Sequence, residues 1–528
     1  MDRMLNKNQF KNLIWIIPAI IAFLMALIPT LKYQWPLSWD IIYHVQYAQI
    51  YAKYGLVLTD PLLNAPVGQK IGYPPLFHLL LAFLGVISKV DFFQIARSLQ
   101  PFLAMFIVLS VTYVARKLYG TIAGISAGFL LLSSLLFSRI ILPLPENLAL
   151  IFLPLSVYFY YYSLKEKSLK YGIFAGLLFT IIIFTHEAAT LSLFLIITAF
   201  SLVELIFYRD IHVFKDYGAF LLLPISLLII GVVALLISSP NIVYGILSSG
   251  LTASTGFITS ISNNQPLSIV TYFGYLGFLV LLFALVGAIV AFKKRNKHDI
   301  LIFTWIIAMF FLSNAYWFGV NVITYRVLIY LLLPLSILGG FGLNQVYLKL
   351  KNYKNFSSKN FRISFLISVF ALATFSGILT VENPKIAIFG AETQYGTIQI
   401  APPSPSDIDL ARWFNEYGDK NKSILTNNLF TGTFLVAETG MPLHYGFEDF
   451  NKNIPESAFK SGGIGYIVLD KRLTFNSTNG TLYIKQVNDD FYPLVYFSED
   501  IPSHINEILP NFIKVVYQNN DYIVCQVQ

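Results

Sequence analysis

The sequence predicts a polytopic α-helical membrane protein of about eleven spans, and at most thirteen, that ends in a small extracytoplasmic α/β domain. Three observations predict it. Of the 528 residues, 56% are hydrophobic and only 12% charged, where a soluble protein carries roughly 25% charged residues. Apolar runs recur between residues 12 and 381 at the length a bilayer demands, about 20 residues per crossing. Beyond residue 381 the chain becomes richer in Asn, Asp, Ser and Pro, with short β-patterned runs.

Composition also narrows the function. Aromatic residues at 16% suit membrane interfaces and stacking against lipid or sugar. The net charge of +8 needs no nucleic acid, because basic cytoplasmic loops give the same excess. The single cysteine, Cys525, excludes an internal disulfide and a CxxC metal site. No small-residue cleavage site follows Leu13–Leu31, so this segment is expected to be a retained first span. The absence of a Walker loop and of GxGxxG argues against an ATP-driven pump.

Taken in order, the candidate spans are 12–31, 97–115, 120–138, 146–163, 171–185, 187–208, 217–238, 267–292, 300–318, 324–346 and 363–381. The apolar run 76–88, entered through Pro74 and Pro75, is the one to arbitrate. If it stays outside the bilayer and the N-terminus is cytoplasmic, the basic groups at 165–170, 293–297 and 349–362 all face the cytoplasm. A crossing there would invert every later loop and destroy that bias, so the positive-inside rule favours a non-spanning helix. The domains are then a transmembrane domain over 1–381, with outer loops 32–96 and 239–266, and an extracytoplasmic domain over 382–528. In the latter, Gly465–Asp470 reads as a buried strand and Ile513–Val527 as a hairpin around Gln518–Asp521. Asp407–Tyr417 reads as a helix capped by Ser406.

This topology gathers polar residues from several connections at the outer face. Asp40 follows the first span beside Trp35 and Trp39. It reads either as a general base or metal ligand at the water–lipid boundary, or as the N-cap of a helix over Ile41–Tyr54. His44 lies one helical turn later, on the same face; Asp60 stands in the same loop. Glu146 opens the fourth span behind Pro143 and Pro145, where an acid also complements the helix dipole, and Arg139 precedes it at the same mouth. His186 and Glu187 interrupt an apolar stretch over Gly172–Tyr208, either as the turn between two spans or as a proton-transfer or substrate-binding pair. Arg326, at the outer end of a later span, either snorkels or clamps a phosphate with its planar fork.

Together these stretches resemble the GT-C superfamily of membrane glycosyltransferases, and above all the catalytic subunit of oligosaccharyltransferase, over nearly the whole chain. The matching residues are the Trp39-Asp40 pair after span one, the Tyr73-Pro74-Pro75 segment leading a non-spanning helix, and Glu146 as the first acid of a second motif. They continue with an outer loop ending near Asn263 and with Arg326 at the position that contacts the lipid-linked phosphate. The peptide-binding WWDYG motif is replaced by Asn427–Gly432, the loop glutamate by Asn263 and the second paired acid by Leu148. Of the metal ligands, Asp40 and Glu146 remain for Mg²⁺ or Mn²⁺.

The resemblance implies an inverting glycosyltransferase, prokaryotic and in particular archaeal, in the cell membrane. It would move a sugar from a polyprenyl- or dolichyl-phosphate carrier to a glycan, lipid or protein acceptor. Asp40 and Glu146 would be catalytic; His44, Tyr73, Arg139, His186, Glu187 and Arg326 would bind substrate. A divergent oligosaccharyltransferase, a lipid-sugar transporter and an inactive scaffold are the alternatives. A transporter would spread polar residues through the midplane, whereas here they collect at one face. Asn476 and Asn479 stand in glycosylation-like triplets that are common by chance.

Overall fold

Among the described residues, seven helices are long and apolar enough to cross a membrane, and two more that meet at a sharp bend make up to eight spans. The computed structural model describes residues 13–238, 267–320, 324–382, 392–393, 396–397, 403–447, 453–474, 484–489, 492–497 and 501–528. The outer loop 239–266 with Asn263, and the triplets at Asn476 and Asn479, lie outside the described residues.

Three expected spans fold as helices of fewer than 18 residues. Residues 120–138 give a helix over Thr121–Leu132, which at 1.5 Å per residue reaches only about 18 Å. It stops because Ser133 and Ser134 turn their hydroxyls onto the carbonyls of Leu130 and Tyr275, each at 2.7 Å. The segment 171–185 folds as Leu169–Ile183, and 300–318 as Lys297–Ser313 followed by a 3₁₀ turn over Ala315–Phe318. The expected single span over 267–292 is two helices, Ile269–Leu276 and Phe278–Lys294, bent by 96°. Gly277 makes the bend with φ +89°, and a Cβ there would stand 3.1 Å from the carbonyl oxygen of Ser133.

The helix Thr324–Lys349 is the spine of the transmembrane unit. A Cβ on Gly342 would fall 2.0 Å from the Phe283 carbonyl oxygen, and one on Gly340 2.3 Å from that of Ala123. Small residues thus let its backbone touch the helices on two sides, the usual device where lipid offers no hydrophobic drive to association. Val213–Ala234 is the opposite case, with 11% of its apolar window buried; its side chains have the bilayer as solvent.

Contacts divide the chain into two compact units, Met1–Pro29 with Gln100–Ala387, and Thr30–Leu99 with Ile388–Gln528. The first outer loop therefore groups with the C-terminal segment, where division of the sequence at residue 381 had kept it with the spans. The cause is explicit hydrogen bonding. Leu443 donates its N–H to the Leu62 carbonyl and accepts from the Ala65 N–H, both at 2.8 Å. Residue Leu63 so becomes a parallel bridge on the edge of the C-terminal sheet.

That sheet has five strands in the order Ile513–Gln518, Tyr522–Val527, Ile464–Asp470, Ser423–Thr426, Leu443–His444. Its first two pairings are antiparallel and the other two parallel. The hairpin and the buried strand stand where the sequence places them. The Pro405–Tyr417 helix is capped by Ser404 rather than Ser406, through a capping box with Asp407. The helix after span one begins at Asp40, with Trp39 as its N-cap, because the backbone of Trp39 is already in the helical region. The run 76–88 is a 13-residue helix, Leu76–Ser88, packed on Asp40–Tyr54.

Candidate active site

The predicted site residues fall in both units, and each cluster stands on its own geometry. In the transmembrane unit, the short helix Phe137–Ile140 turns into Pro145–Glu166, which starts with proline at its first position. Asn147 pins the turn by donating to the carbonyls of Arg139, at 2.8 Å, and Leu142, at 2.6 Å. Arg139 and Glu146 are thereby held face to face, both buried. The guanidinium donates twice to one carboxylate oxygen, Nε to Oε2 at 2.9 Å and Nη2 to Oε2 at 2.6 Å.

The other oxygen of Glu146, Oε1, accepts from the Tyr330 hydroxyl at 3.1 Å. That hydroxyl also lies 3.3 Å from His186 Nδ1. His186 caps the helix Glu187–Tyr208 with its ring, its Nδ1 accepting from the Ala189 N–H at 3.3 Å. Arg326 stands one turn before Tyr330 on the Thr324–Lys349 helix, and its charge, like that of Arg139, acts on both Glu146 and His186. Burial, first of all, and the two guanidinium charges hold the His186 imidazole below its ordinary range. The structure thus brings Arg139, Glu146, His186 and Arg326 into one electrostatic group. Glu187, by contrast, is exposed in the first turn of its helix.

Tyr330 and Asn147 were not anticipated from sequence. Tyr330 carries a readable signal: it lies four residues after Arg326, on the same helix face.

Along the same unit, the helices around the 96° bend line an open apolar cavity of about 1070 Å³. Its walls include Phe273, Phe310 and Trp317 together with Leu331, Leu335 and Leu338 of the Thr324–Lys349 helix. Asn314 on the wall accepts from the hydroxyls of Tyr272 and Tyr316 at 3.0 and 3.1 Å.

In the other unit, Asp40 is half-buried in the first turn of its helix, behind Ser38, whose hydroxyl accepts from the Asp40 N–H at 3.3 Å. Trp39 meets Phe430 edge to face at 4.5 Å. His44 is buried, and its Nδ1 lies 2.9 Å from His78 Nε2. Tyr73 sets its ring edge-on to both imidazoles, at 5.0 and 5.8 Å. Burial lowers the His78 pKa to about 3. Asp60 is buried and accepts from Gln46 Nε2 at 2.9 Å and from the Leu62 N–H at 2.8 Å. Burial still raises its pKa against those hydrogen bonds. His78 was also unforeseen, although it stands three residues beyond Pro75 in the segment that sequence singled out.

Glu146 as it stands does not fit a divalent metal. Both oxygens of Glu146 are engaged by donors that a cation would have to displace, one of them a guanidinium. Among the described residues, no group of three or more His, Cys, Asp or Glu side chains converges as a metal site. Hard cations of this kind need several oxygens.

The chain shares its fold with solved structures of low sequence identity. The archaeal oligosaccharyltransferase AglB from Archaeoglobus fulgidus, solved with an inhibitory peptide and a dolichol-phosphate, has it with a TM-score of 0.58 and 14% identity, over 88% of this chain and 70% of that one. ArnT from Cupriavidus metallidurans, bound to undecaprenyl phosphate, has it with a TM-score of 0.58 and 12% identity, over 97% and 98% of the two chains. The mycobacterial arabinofuranosyltransferase AftD matches with a TM-score of 0.54 and 12% identity, over 98% of this chain and 41% of that one. No protein-family model matches the sequence, and no curated protein does.

Proposed function

We propose that the protein is a membrane glycosyltransferase that moves a sugar from a polyprenyl- or dolichyl-phosphate carrier to an acceptor hydroxyl at the outer face of the cell membrane. The observation that carries this reading is the Thr324–Lys349 helix, which bears Arg326 near one end and, further along, one wall of the large apolar cavity. A cation and a long greasy cleft on one helix suit an anionic lipid. The structural neighbours agree in kind: ArnT is bound to undecaprenyl phosphate and AglB to dolichol-phosphate.

In this reading Asp40 takes the proton of the acceptor hydroxyl as its oxygen attacks the anomeric carbon. The bond from that carbon to the phosphate oxygen breaks, and Arg326 stabilises the departing polyprenyl phosphate. Inversion follows from the single displacement. Glu146, tied to Arg139 and Tyr330, holds the cation cluster in place rather than acting as the base. His44, Tyr73, Arg139, His186 and Glu187 are assigned to substrate binding.

The acceptor is assigned away from Asn-x-Ser/Thr peptides. Asn427–Gly432, which stands in place of the peptide-binding motif, is buried throughout, with Asn428 capping the helix Leu429–Thr439 and donating to Asp470 at 2.7 Å. Such a segment builds the domain and leaves little for a peptide to touch.

The test is transfer by purified protein in lipid, from radiolabelled polyprenyl-phosphate sugars, with and without EDTA. EDTA-resistant transfer that falls at least 100-fold in Asp40→Asn is expected, the range for removing a general base. Unchanged turnover in that variant would refute the role of Asp40, and transfer abolished by EDTA would refute the metal-free mechanism.

A further inference from the structure

We infer that residues 349–362, the linker between the last two spans, form a binding surface for anionic phospholipid headgroups at the end of the bundle remote from Arg326. This surface is independent of the sugar-transfer reading.

The linker is short and strongly basic. Five cations, Lys349, Lys351, Lys354, Lys359 and Arg362, fall within fourteen residues, and no Asp or Glu occurs anywhere from Thr324 to Val381. It joins the helix Thr324–Lys349 to the helix Lys359–Glu382 through two 3₁₀ turns, Leu350–Asn352 and Lys354–Phe356. Both flanking helices have the length and hydropathy of membrane spans, so the linker is held against the bilayer from either side. Lys349 lies twenty-three residues beyond Arg326 on one helix, about 35 Å at 1.5 Å per residue. The hydrocarbon core is about 30 Å thick. A phosphate met by the linker is therefore a different one from the phosphate assigned to Arg326.

The lysine charges here are unanswered. Lys349, Lys351, Lys354 and Lys359 are exposed, and among the described residues no carboxylate pairs with them, the ion pairs of this unit being made by other side chains. Arg362 sets its guanidinium over the Tyr347 ring, 4.9 Å from its centre. Elsewhere in the unit the pattern differs: Lys297 donates to the buried carboxylate of Glu204 at 2.9 Å. Clustered like charges repel one another unless a counter-charge is supplied. A basic cluster next to a span meets that counter-charge in an anionic membrane surface.

Insertion bias alone puts basic residues in such loops; the aromatic residues between them are what that bias leaves unexplained. Tyr353 is 61% exposed, Phe356 43% and Phe361 41%, and the rings of Phe356 and Phe361 lie 4.9 Å apart. Apolar rings gain nothing in water, whereas at headgroup depth an aromatic side chain is at home. An anionic bilayer surface takes both halves of the pattern at once, the ammonium groups at its phosphates and the rings just beneath them. A soluble acidic chain would take the charges, but it would have to displace the lipid against which the two spans already hold the linker.

The test reads the lipid composition next to the linker. Full-length Ser357→Cys protein carries a donor fluorophore on the new thiol, while the buried Cys525 stays unlabelled. It is placed in nanodiscs of nine parts phosphatidylcholine to one part phosphatidylglycerol, with a trace of either lipid labelled on its acyl chain as energy acceptor. Labelled phosphatidylglycerol is expected to be enriched about fivefold or more over labelled phosphatidylcholine, the factor that one basic residue supplies near an anionic surface. The excess should vanish in Lys351→Gln/Lys354→Gln/Lys359→Gln, and equally for the unsubstituted linker in 1 M NaCl, where the Debye length is about 3 Å. Equal transfer to the two lipids would overturn the proposal, as would an excess that either the triple variant or the salt leaves unchanged. An excess displaced by micromolar poly-glutamate or by an oligonucleotide would assign the surface to a soluble acidic partner and overturn it too.

Discussion

In the transmembrane unit Arg139 and Glu146 are buried as charges, each answered by the other, with Tyr330 donating to the second oxygen of Glu146 and Asn147 pinning the turn through the Arg139 backbone carbonyl. In the other unit His44 and His78 are buried at a similar depth with their ring nitrogens 2.9 Å apart, and burial keeps His78 neutral inside a wall made by Tyr47, Tyr51, Tyr73 and Phe77. Both arrangements meet the cost of taking polar groups out of water. The first does so by compensation, the second by refusing the charge. The difference matters for mutation and for pH. A compensated pair fails when one half is removed, and a neutral pair fails when protons are forced on it.

The largest effect is therefore expected from breaking the ion pair on one side. Arg139→Leu or Glu146→Leu leaves an uncompensated buried charge and should cost on the order of 3–5 kcal/mol of stability. The double variant Arg139→Leu/Glu146→Leu should lie closer to the wild type than either single one, because an apolar pair of similar bulk carries no desolvation penalty. Thermal unfolding of the three variants in detergent decides this. A double variant worse than both singles would mean that the pair stabilises beyond its own neutralisation, and the contrast between the clusters would fall.

The second effect is a pH dependence confined to the neutral pair. His78 is held down to about 3 in the folded protein, against an ordinary value of 6.5. Its folded-state pKa lies below its unfolded one, so the unfolded chain binds the proton more readily as pH falls. Stability from this residue is complete above about pH 6.5 and is lost at roughly 1.4 kcal/mol per pH unit on acidification towards pH 3. The rings packed against the pair are tyrosines and a phenylalanine, which do not titrate in that range. Hydrogen exchange of the helices Asp40–Tyr54 and Leu76–Ser88 at pH 7 and pH 5 should show faster opening at the lower pH. His78→Phe should flatten that response, and an unchanged response would place the titration elsewhere.

The same contrast explains how far the sequence could be read. The spans and the α/β tail were legible because burial on all sides leaves an unbroken apolar run, long in a span and short in a strand such as Ile464–Asp470. Of the site, Arg139, Glu146, His186 and Arg326 were legible as polar residues at the ends of apolar runs, where a charge needs a reason. Their mutual bonding was not, because it depends on a turn pinned by Asn147 and on Tyr330, an aromatic residue in an apolar run that looks like any other. The pairing of His44 with His78 is 34 residues long in sequence and follows from how two helices pack, which neither helix encodes alone. The 96° bend turns on a single glycine meeting Ser133 from another helix, and a hydropathy trace passes through it without interruption.

Asp60 gives the smallest effect and the finest test of the comparison, because it is an acid in the cluster that avoids charge. Its carboxyl has no cation among its hydrogen-bond partners, only Gln46 and the N–H groups of Leu62 and Leu63. Burial outweighs those donors and raises its pKa above the ordinary 3.8. For an acid raised in this way the folded state keeps its proton longer than the unfolded chain. The resulting stability is present at low pH and is lost as pH rises through the folded value, the reverse of the His78 response. Asp60→Asn keeps an oxygen for the backbone N–H groups, and Gln46 can turn its amide to pair with the new one. The variant should lie within about 1 kcal/mol of the wild type at pH 7, since a neutral amide replaces a charge that burial opposes. It should also lose the gain on acidification, which a melt series of Asp60→Asn in the His78→Phe background would isolate. A cost of several kcal/mol at pH 7 would show instead that the carboxylate charge at Asp60 is required, and that this unit too buries a charge by compensation.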